Sequence, residues 1–200
     1  MIIFYDFLCP YAWRGLELMD RLGMQPELKS FSLTQGNHKE NTDRSAPTWW
    51  LSDQPPREGT DAQQGALRAF LAEHAAHRQG AEARRSFALQ LFRLRHAEGQ
   101  PLTSEATVHA AAERAGLDAR RFQADLTDDT ELRASLREEL AEAARVRVFG
   151  TPTFVLDSGD AAYFRFRRIP ESESDARALW ETYVNVLRSE AGIETIKRPR

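Results

Sequence analysis

The stretch IIFYDFLCPYAW, residues 2–13, joins an apolar run to the chain's single cysteine, Cys9, and then to the start of a helical pattern. Residues 2–7 are β-branched and aromatic and too few for a helix, so they predict a buried strand. Pro10 suits the first position of a helix, and apolar residues recur at three-residue spacing as far as Gly23. The sequence therefore predicts a strand that leads directly to a cysteine at a helix N-terminus.

The segment after this helix extends the pattern to a βαβ unit. Residues 27–33 alternate polar and apolar side chains, which predicts a second strand parallel to the first. Residues 34–60 are rich in Asn, Asp, Ser, Pro and Gly, which indicates a long loop, and they include Trp49 and Trp50. We expect these tryptophans either to line an apolar acceptor site or to pack on the core.

The middle of the chain is predicted to be helical and its end to be mixed. Residues 61–146 have apolar side chains at helical spacing, and turn signals divide them into about five helices. Residues 153–156 and 163–168 predict the two strands of a hairpin. A final helix follows, capped by Asp175 or a nearby serine, and a basic tail, 197–200, is expected to fray.

Two short motifs that lie far apart in the sequence resemble those of DsbA-like proteins. The segment DFLCPYAW is similar to that family's Cys-Pro-aromatic-Cys site, with Ala12 in the position of the second cysteine. In FGTPTFVL, Pro152 stands where the family has its cis-proline, and residues 111–126 are similar to the family's helical insertion. Arg147 departs from the pattern, because relatives commonly have glycine at that position.

The resemblance implies an α/β fold, namely a thioredoxin fold with an all-helical insertion between the βαβ unit and the C-terminal ββα unit. Residues 1–60 and 147–200 would form the thioredoxin-like domain, and residues 61–146 the inserted helical subdomain. The predicted elements follow one another along the chain in the order that this fold requires. The cysteine and the cis-proline loop would then belong to one domain.

Cys9 is the candidate catalytic residue. A helix N-terminus presents unpaired N–H groups and a partial positive charge, which favour a thiolate over a thiol. The alternative is that Cys9 is a small buried hydrophobic residue without chemistry. A carboxylate close to the sulfur would oppose activation, so we expect Asp6 to act as a strand-end or capping residue with no catalytic role.

The residues around the cysteine and in the cis-proline loop are candidates for binding substrate: Pro10, Tyr11, Ala12, Trp13, Thr151 and Pro152. A cis Thr151-Pro152 bond would put the Thr151 backbone beside the sulfur as a strand edge for substrate, whereas a trans proline would form an ordinary turn. The Tyr11 hydroxyl could hydrogen-bond a bound thiol, or the ring could simply fill the shape of the motif.

The other polar residues predict neither a metal site nor a tightly bound cofactor. The five histidines are dispersed along the chain. His74 and His77 stand three residues apart on a predicted helix, where a solvated face is the expected environment. Arg165, Arg167 and Arg168 are expected to mark an exposed strand face that protects the sheet edge.

Three functions are consistent with these residues. The first is a DsbA-like thiol–disulfide oxidoreductase that acts through Cys9 alone, with glutathione or another small thiol as co-substrate, because Ala12 supplies no internal resolving thiol. The second is a glutathione-dependent transferase or isomerase, because residues 9–15 also resemble a segment of kappa-class glutathione transferases and hydroxychromene-carboxylate isomerases. The third is a non-catalytic scaffold or redox sensor.

Composition limits the partners and the compartment. A formal net charge of -3 gives no global attraction for nucleic acid, and no apolar run approaches the roughly 20 residues of a membrane helix. The sequence begins without a basic leader and apolar segment, so no signal peptide is expected. A single cysteine fits the reducing cytoplasm. The expected partner is a small thiol or disulfide, or a protein thiol, and a homodimer stays open.

Overall fold

The structure is a computed structural model that describes residues 1–127, 129–188 and 191–193. Within these ranges, four short strands form one sheet, in the spatial order β2-β1-β3-β4. Their bounds are Ile2–Tyr5 for β1, Glu27–Ser30 for β2, Thr153–Val155 for β3 and Ala161–Tyr163 for β4. The predicted tail at 197–200 lies outside the described residues.

The central strand, β1, pairs with a neighbour on each side. It runs parallel to β2, with Ile3 opposite Leu28, and antiparallel to β3, with Ile3 opposite Phe154. β3 in turn pairs antiparallel with β4. The parallel pair requires a crossover, which the first helix supplies, whereas the antiparallel pair at the other edge needs only a hairpin turn.

The described helices are α1 (Pro10–Arg21), α2 (Leu33–Gly36), α3 (Asp61–His77), α4 (Ala81–His96), α5 (Glu105–Arg114), α6 (Ala119–Thr127), α7 (Thr130–Arg145) and α8 (Glu173–Leu187). The five helices α3 to α7 occupy the segment for which the sequence predicts about five. Ser172 caps α8 by accepting a hydrogen bond from the Asp175 amide, so the nearby serine is the cap. Among the described residues, no helix combines the length and hydrophobicity needed to cross a bilayer.

Three features at the strand ends and in the long loop differ from the sequence predictions. The second strand ends at Ser30 instead of 33, because Ser32 accepts a hydrogen bond from the Gln35 amide and starts α2 inside the predicted loop. A second short helix, Leu51–Asp53, lies in that loop. The first strand is also shorter than predicted and ends at Tyr5.

The predicted strand at 163–168 is wrong in position. Tight pairing of the Leu156 amide with the Asp160 carbonyl, at 2.8 Å, closes the turn early, so β4 begins at Ala161 and ends at Tyr163. Phe166 then turns into the core, where its ring meets Phe154. Arg165, Arg167 and Arg168 are exposed as expected, although they follow the strand instead of forming it.

A buried ionic network joins the helical insertion to the sheet. Arg84 on α4 forms ion pairs with Glu73 on α3 and with Glu139 on α7, whose two oxygens receive guanidinium N–H groups at 2.8 Å each. Glu139 also accepts the backbone N–H of Ser30, the last residue of β2, at 2.8 Å. Burial alone would raise the pKa of Glu139, but Arg84 lowers it to about 2. The Arg84–Glu139 ion pair therefore stays charged throughout the neutral range.

His74 belongs to this network, so the expectation that it lies on a solvated face is wrong. It is 4% exposed, and its Nε2 lies 3.4 Å from the Ser30 hydroxyl and 3.6 Å from a Glu139 oxygen. Burial lowers the pKa of His74. His77, one turn later on α3, is exposed as predicted.

Arg147 adopts a backbone conformation that favours glycine. Its φ of 58° makes it the one non-glycine residue with a positive φ in the described part of the chain. It follows the C-terminus of α7, where a left-handed residue commonly ends a helix and glycine is the usual choice. Arg147 thus stands at a position whose backbone conformation glycine adopts without steric cost.

Candidate thiol active site

Cys9 occupies the N-cap of α1, one turn after the end of the central strand. Its φ of -95° and ψ of 112° are extended, and the helix begins at Pro10. The Cys9 amide donates to the Asp6 carbonyl at 3.0 Å, and the Cys9 carbonyl accepts the Trp13 amide at 3.2 Å. The residue is 7% exposed. This arrangement holds the sulfur at the helix end, as the sequence predicts.

The sulfur faces the cis-proline loop. Cys9 Sγ donates a hydrogen bond to the Thr151 carbonyl at 3.2 Å, and the Thr151-Pro152 peptide bond is cis. The sulfur makes no capping hydrogen bond with the amides of α1. An approaching disulfide must therefore displace the sulfur from this carbonyl.

The loop is held against α1 and β4 by close packing. A Cβ built on Gly15 of α1 would lie 3.2 Å from the Pro152 ring, and one built on Gly150 would lie 3.0 Å from the Tyr163 ring. Pro152 also accepts the Phe164 amide through its carbonyl, at 3.1 Å. The two glycines thus allow a helix and an aromatic side chain to reach the backbone beside Cys9.

Asp6 performs the strand-end role that the sequence suggests. Its two carboxylate oxygens accept the amides of Leu8, at 2.7 Å, and of Leu33, at 2.6 Å. It thereby connects the turn before Cys9 to the start of α2. Burial raises the pKa of the Asp6 carboxyl to about 6, against the two amides, which lower it.

The raised pKa predicts that stability falls as the pH rises through 6. A carboxyl whose pKa rises on folding from 3.8 to about 6 adds about 3 kcal/mol to the free energy of unfolding. This contribution is complete below about pH 4 and is lost above about pH 6. Asp6→Asn removes this titration, so its unfolding free energy should decrease less than the wild-type value between pH 4 and 7. Urea unfolding across that range measures the difference. The exposed control Glu40→Gln should follow wild type, and an Asp6→Asn curve parallel to wild type would contradict the assignment.

The other motif residues divide into core and surface. Ala12 is 1% exposed and belongs to the hydrophobic core, so it is more tightly enclosed than the motif alone suggests. Trp13 is half-buried, donates its indole N–H to Glu17 at 3.0 Å and stacks on His96. Pro10 is exposed and Tyr11 half-buried. The surface beside Cys9 therefore comes from Pro10 and Tyr11.

The tryptophan pair has other contacts. Trp49 stacks on His38 with 4.1 Å between ring centroids, and the Arg137 guanidinium lies 3.7 Å from the Trp50 ring centroid. Both indoles are half-buried and pack against the core. Within the described residues, no recorded contact joins either indole to Cys9, and no group of three potential metal ligands occurs.

Sequence reasoning missed an aromatic pair, Phe149 and Tyr163, at the cis-proline loop. Tyr163 on β4 contacts the ring of Phe149, which is 60% exposed. Burial raises the pKa of Tyr163, and the nearby Arg165 lowers it, whereas the Cys9 and Tyr11 side chains raise it further. The only local signal is a tyrosine in the second strand of the predicted hairpin.

A sequence profile of the DSBA-like thioredoxin domain matches residues 1–171 of this chain. The chain belongs to this family. The thioredoxin fold of the DSBA-like domain accounts for the four-stranded mixed sheet and for the helices between its two halves. No curated protein sequence matches this DSBA-like chain.

Several solved structures share the DSBA-like fold at low sequence identity. The cytosolic disulfide reductase DsbM from Pseudomonas aeruginosa, solved with GSH, has a TM-score of 0.57 and 21% identity over 92% of this chain and 98% of its own. The probable DsbA oxidoreductase SCO1869 from Streptomyces coelicolor has a TM-score of 0.60 and 20% identity over 100% and 92%. A 2-hydroxychromene-2-carboxylate isomerase has a TM-score of 0.59 and 13% identity over 98% and 100%. These similarities establish the fold.

Proposed function

We propose that this DSBA-like protein catalyses thiol–disulfide exchange through Cys9 alone, with glutathione or another small thiol as the second reactant. The observation that carries the proposal is the position of the sulfur, at a helix N-terminus and 3.2 Å from the carbonyl of the cis-proline loop. Support also comes from a structural neighbour described as a cytosolic disulfide reductase with GSH.

The proposed cycle has two exchange steps at one sulfur. The Cys9 thiol gives its proton to solvent, and the thiolate attacks a substrate disulfide, which forms a mixed disulfide and releases the other half as a thiolate. A small thiolate then attacks the mixed disulfide, frees Cys9 and leaves with the bound half as a new disulfide. Each step breaks one S–S bond and forms one, so a second small thiol completes the reduction of the substrate. Such a cycle suits the cytoplasm, where small thiols are kept reduced.

The chain's own residues contribute positioning more than proton transfer. The Thr151 carbonyl accepts the thiol at rest, and the loop backbone beside it would bind the substrate chain as a strand edge once the sulfur is engaged. The N-terminus of α1 would place its partial positive charge near the sulfur during both exchange steps. Ala12 offers no second sulfur, so Cys9 depends on an external thiol for release.

Mass spectrometry with glutathione disulfide tests the proposal. We expect a glutathione adduct on Cys9 that reduced glutathione removes, and steady reduction of bis(2-hydroxyethyl) disulfide in an assay coupled to glutathione reductase. Cys9→Ser should form no adduct and lose at least about 100-fold in rate, because serine lacks a nucleophilic thiolate. An adduct without turnover would contradict catalysis and favour a redox sensor.

The glutathione-dependent transferase or isomerase is the second candidate, favoured by the fold of the isomerase neighbour. In that reaction the helix N-terminus would stabilise the thiolate of bound glutathione, and the Cys9 side chain would take the position of a hydroxyl. This alternative predicts that Cys9→Ser keeps glutathione binding and activity. Titration of both proteins with glutathione therefore separates the two functions.

A further inference from the structure

Two arginines lie near the ring of Tyr11, two residues after Cys9. The Arg165 guanidinium is 4.9 Å from the centroid of the Tyr11 ring and 5.6 Å from that of Tyr163. The Arg14 guanidinium, one helical turn after Tyr11, is 5.3 Å from the same Tyr11 centroid. We refer to Tyr11, Arg14, Tyr163 and Arg165 as the arginine–tyrosine rim. These residues come from the two ends of the chain and meet on one surface.

The rim borders the candidate nucleophile. Tyr11 follows Cys9 by two residues at the start of α1. Tyr163 is paired with Thr153 across the sheet and touches the Gly150 backbone in the loop that receives the sulfur's hydrogen bond. A group that reaches Cys9 from solvent therefore meets the rim with its neighbouring atoms.

The rim carries two positive charges without a carboxylate partner. Among the described residues, neither Arg14 nor Arg165 forms an ion pair, and Arg14 makes one long hydrogen bond, 3.4 Å, to the Phe166 carbonyl. By contrast, Arg78 and Arg114 pair with nearby acids. Two positive charges near one ring give this surface a positive potential that attracts an anion.

We propose that the arginine–tyrosine rim binds the carboxylate of the substrate, so that the protein prefers disulfides and thiols that carry carboxylate groups. The proposal rests on the proposed exchange reaction and names its substrate class. A guanidinium can donate two parallel N–H groups to one carboxylate. This pairing recognises the negative charge of the ligand and also fixes its orientation. The Tyr11 and Tyr163 rings hold Arg165 by cation–π contact and limit the motion of its side chain.

The test compares three symmetric disulfides that differ in charge: dithiodiglycolate (-2), bis(2-hydroxyethyl) disulfide (0) and cystamine (+2). The measured quantity is the rate of mixed-disulfide formation on Cys9, followed by intact-protein mass spectrometry at low and high salt. Wild type should react faster with dithiodiglycolate than with cystamine, and salt should reduce the ratio. Arg165→Gln should lower that ratio about tenfold, and the Arg14→Gln/Arg165→Gln double variant further.

A matched control variant and a second measurement make the test of the rim decisive. Arg167→Gln removes an exposed arginine that lies over no ring among the described residues, so its rate ratio should equal that of wild type. Unchanged charge preference in Arg165→Gln would overturn the inference, whereas retained reaction of the neutral disulfide would leave the exchange reaction intact. If no disulfide reacts with Cys9, the proposed function fails separately. In that case, binding of S-methylglutathione, which is anionic and cannot exchange, tests whether the rim binds carboxylates. Equal affinity in wild type and Arg165→Gln would overturn the inference.

Discussion

Arg84→Met is expected to destabilise the protein by about 3–5 kcal/mol, the largest loss of stability that we predict for a single side chain. Arg84 is the only cation bonded to both Glu73 and Glu139 among the described residues, and all three are buried. Without the guanidinium, two carboxylates remain in a region that excludes water, where an unpaired charge is costly. Urea unfolding monitored by circular dichroism measures the loss.

Two further variants show whether the loss comes from buried charge. Arg177→Met removes an exposed arginine that pairs with Glu173 on α8, and should change stability by less than about 0.5 kcal/mol. Adding Glu139→Gln to Arg84→Met should restore part of the lost stability, because one buried charge is removed. If Arg84→Met costs no more than Arg177→Met, the network does not contribute as its burial implies.

Ala12→Cys is expected to give the protein a reversible disulfide and a dithiol activity that it otherwise lacks. Residue 12 follows Cys9 by three positions, so its side chain is about one turn away on the same face of the helix. Because Ala12 is enclosed in the core, the added sulfur should also cost about 1–3 kcal/mol in the reduced state. Thiol counts before and after mild oxidation, and then a redox titration against glutathione, measure the bond.

The control for this variant is Ala178→Cys. Ala178 is exposed on α8, so a cysteine there adds a thiol without a position one turn from Cys9. That protein should keep two free thiols after mild oxidation, whereas Ala12→Cys should lose both. If the folded Ala12→Cys protein still has two free thiols after treatment with a mild oxidant, residue 12 does not occupy the position of the family's second cysteine.

Local patterns were sufficient to predict the parts of the site that depend on short segments. An apolar run followed by Cys9 and Pro10 leaves few alternatives to a strand, a turn and a helix start. The contact between Cys9 and Thr151 spans 142 residues, and only the resemblance of two motifs predicted it. Hydrophobic periodicity alone cannot predict a contact between residues so far apart in the sequence.

The features that the sequence did not predict depend on several segments together. His74 is buried beside Glu73, Arg84 and Glu139 from three helices, and burial lowers its pKa, whereas an ionisable residue taken singly is expected at the surface. The local pattern predicts a strand face for Arg165, yet β4 ends at Tyr163 and the Arg165 guanidinium lies near the Tyr11 ring. In both cases the environment of the residue depends on tertiary contacts that the local sequence pattern does not contain.

The position of β1 in the centre of the sheet has a consequence for how the chain is made. During synthesis, β1 emerges first, but its partner β3 follows about 150 residues later, which at 5–20 residues per second is roughly 10–30 s. For that time the apolar side chains of Ile3 and Phe4 and one row of backbone hydrogen-bonding groups lack their final neighbours. An unpaired apolar strand is a template for association with other chains. A nascent chain of this topology therefore keeps one edge of β1 unpaired until β3, about three quarters of the way along the sequence, has been translated.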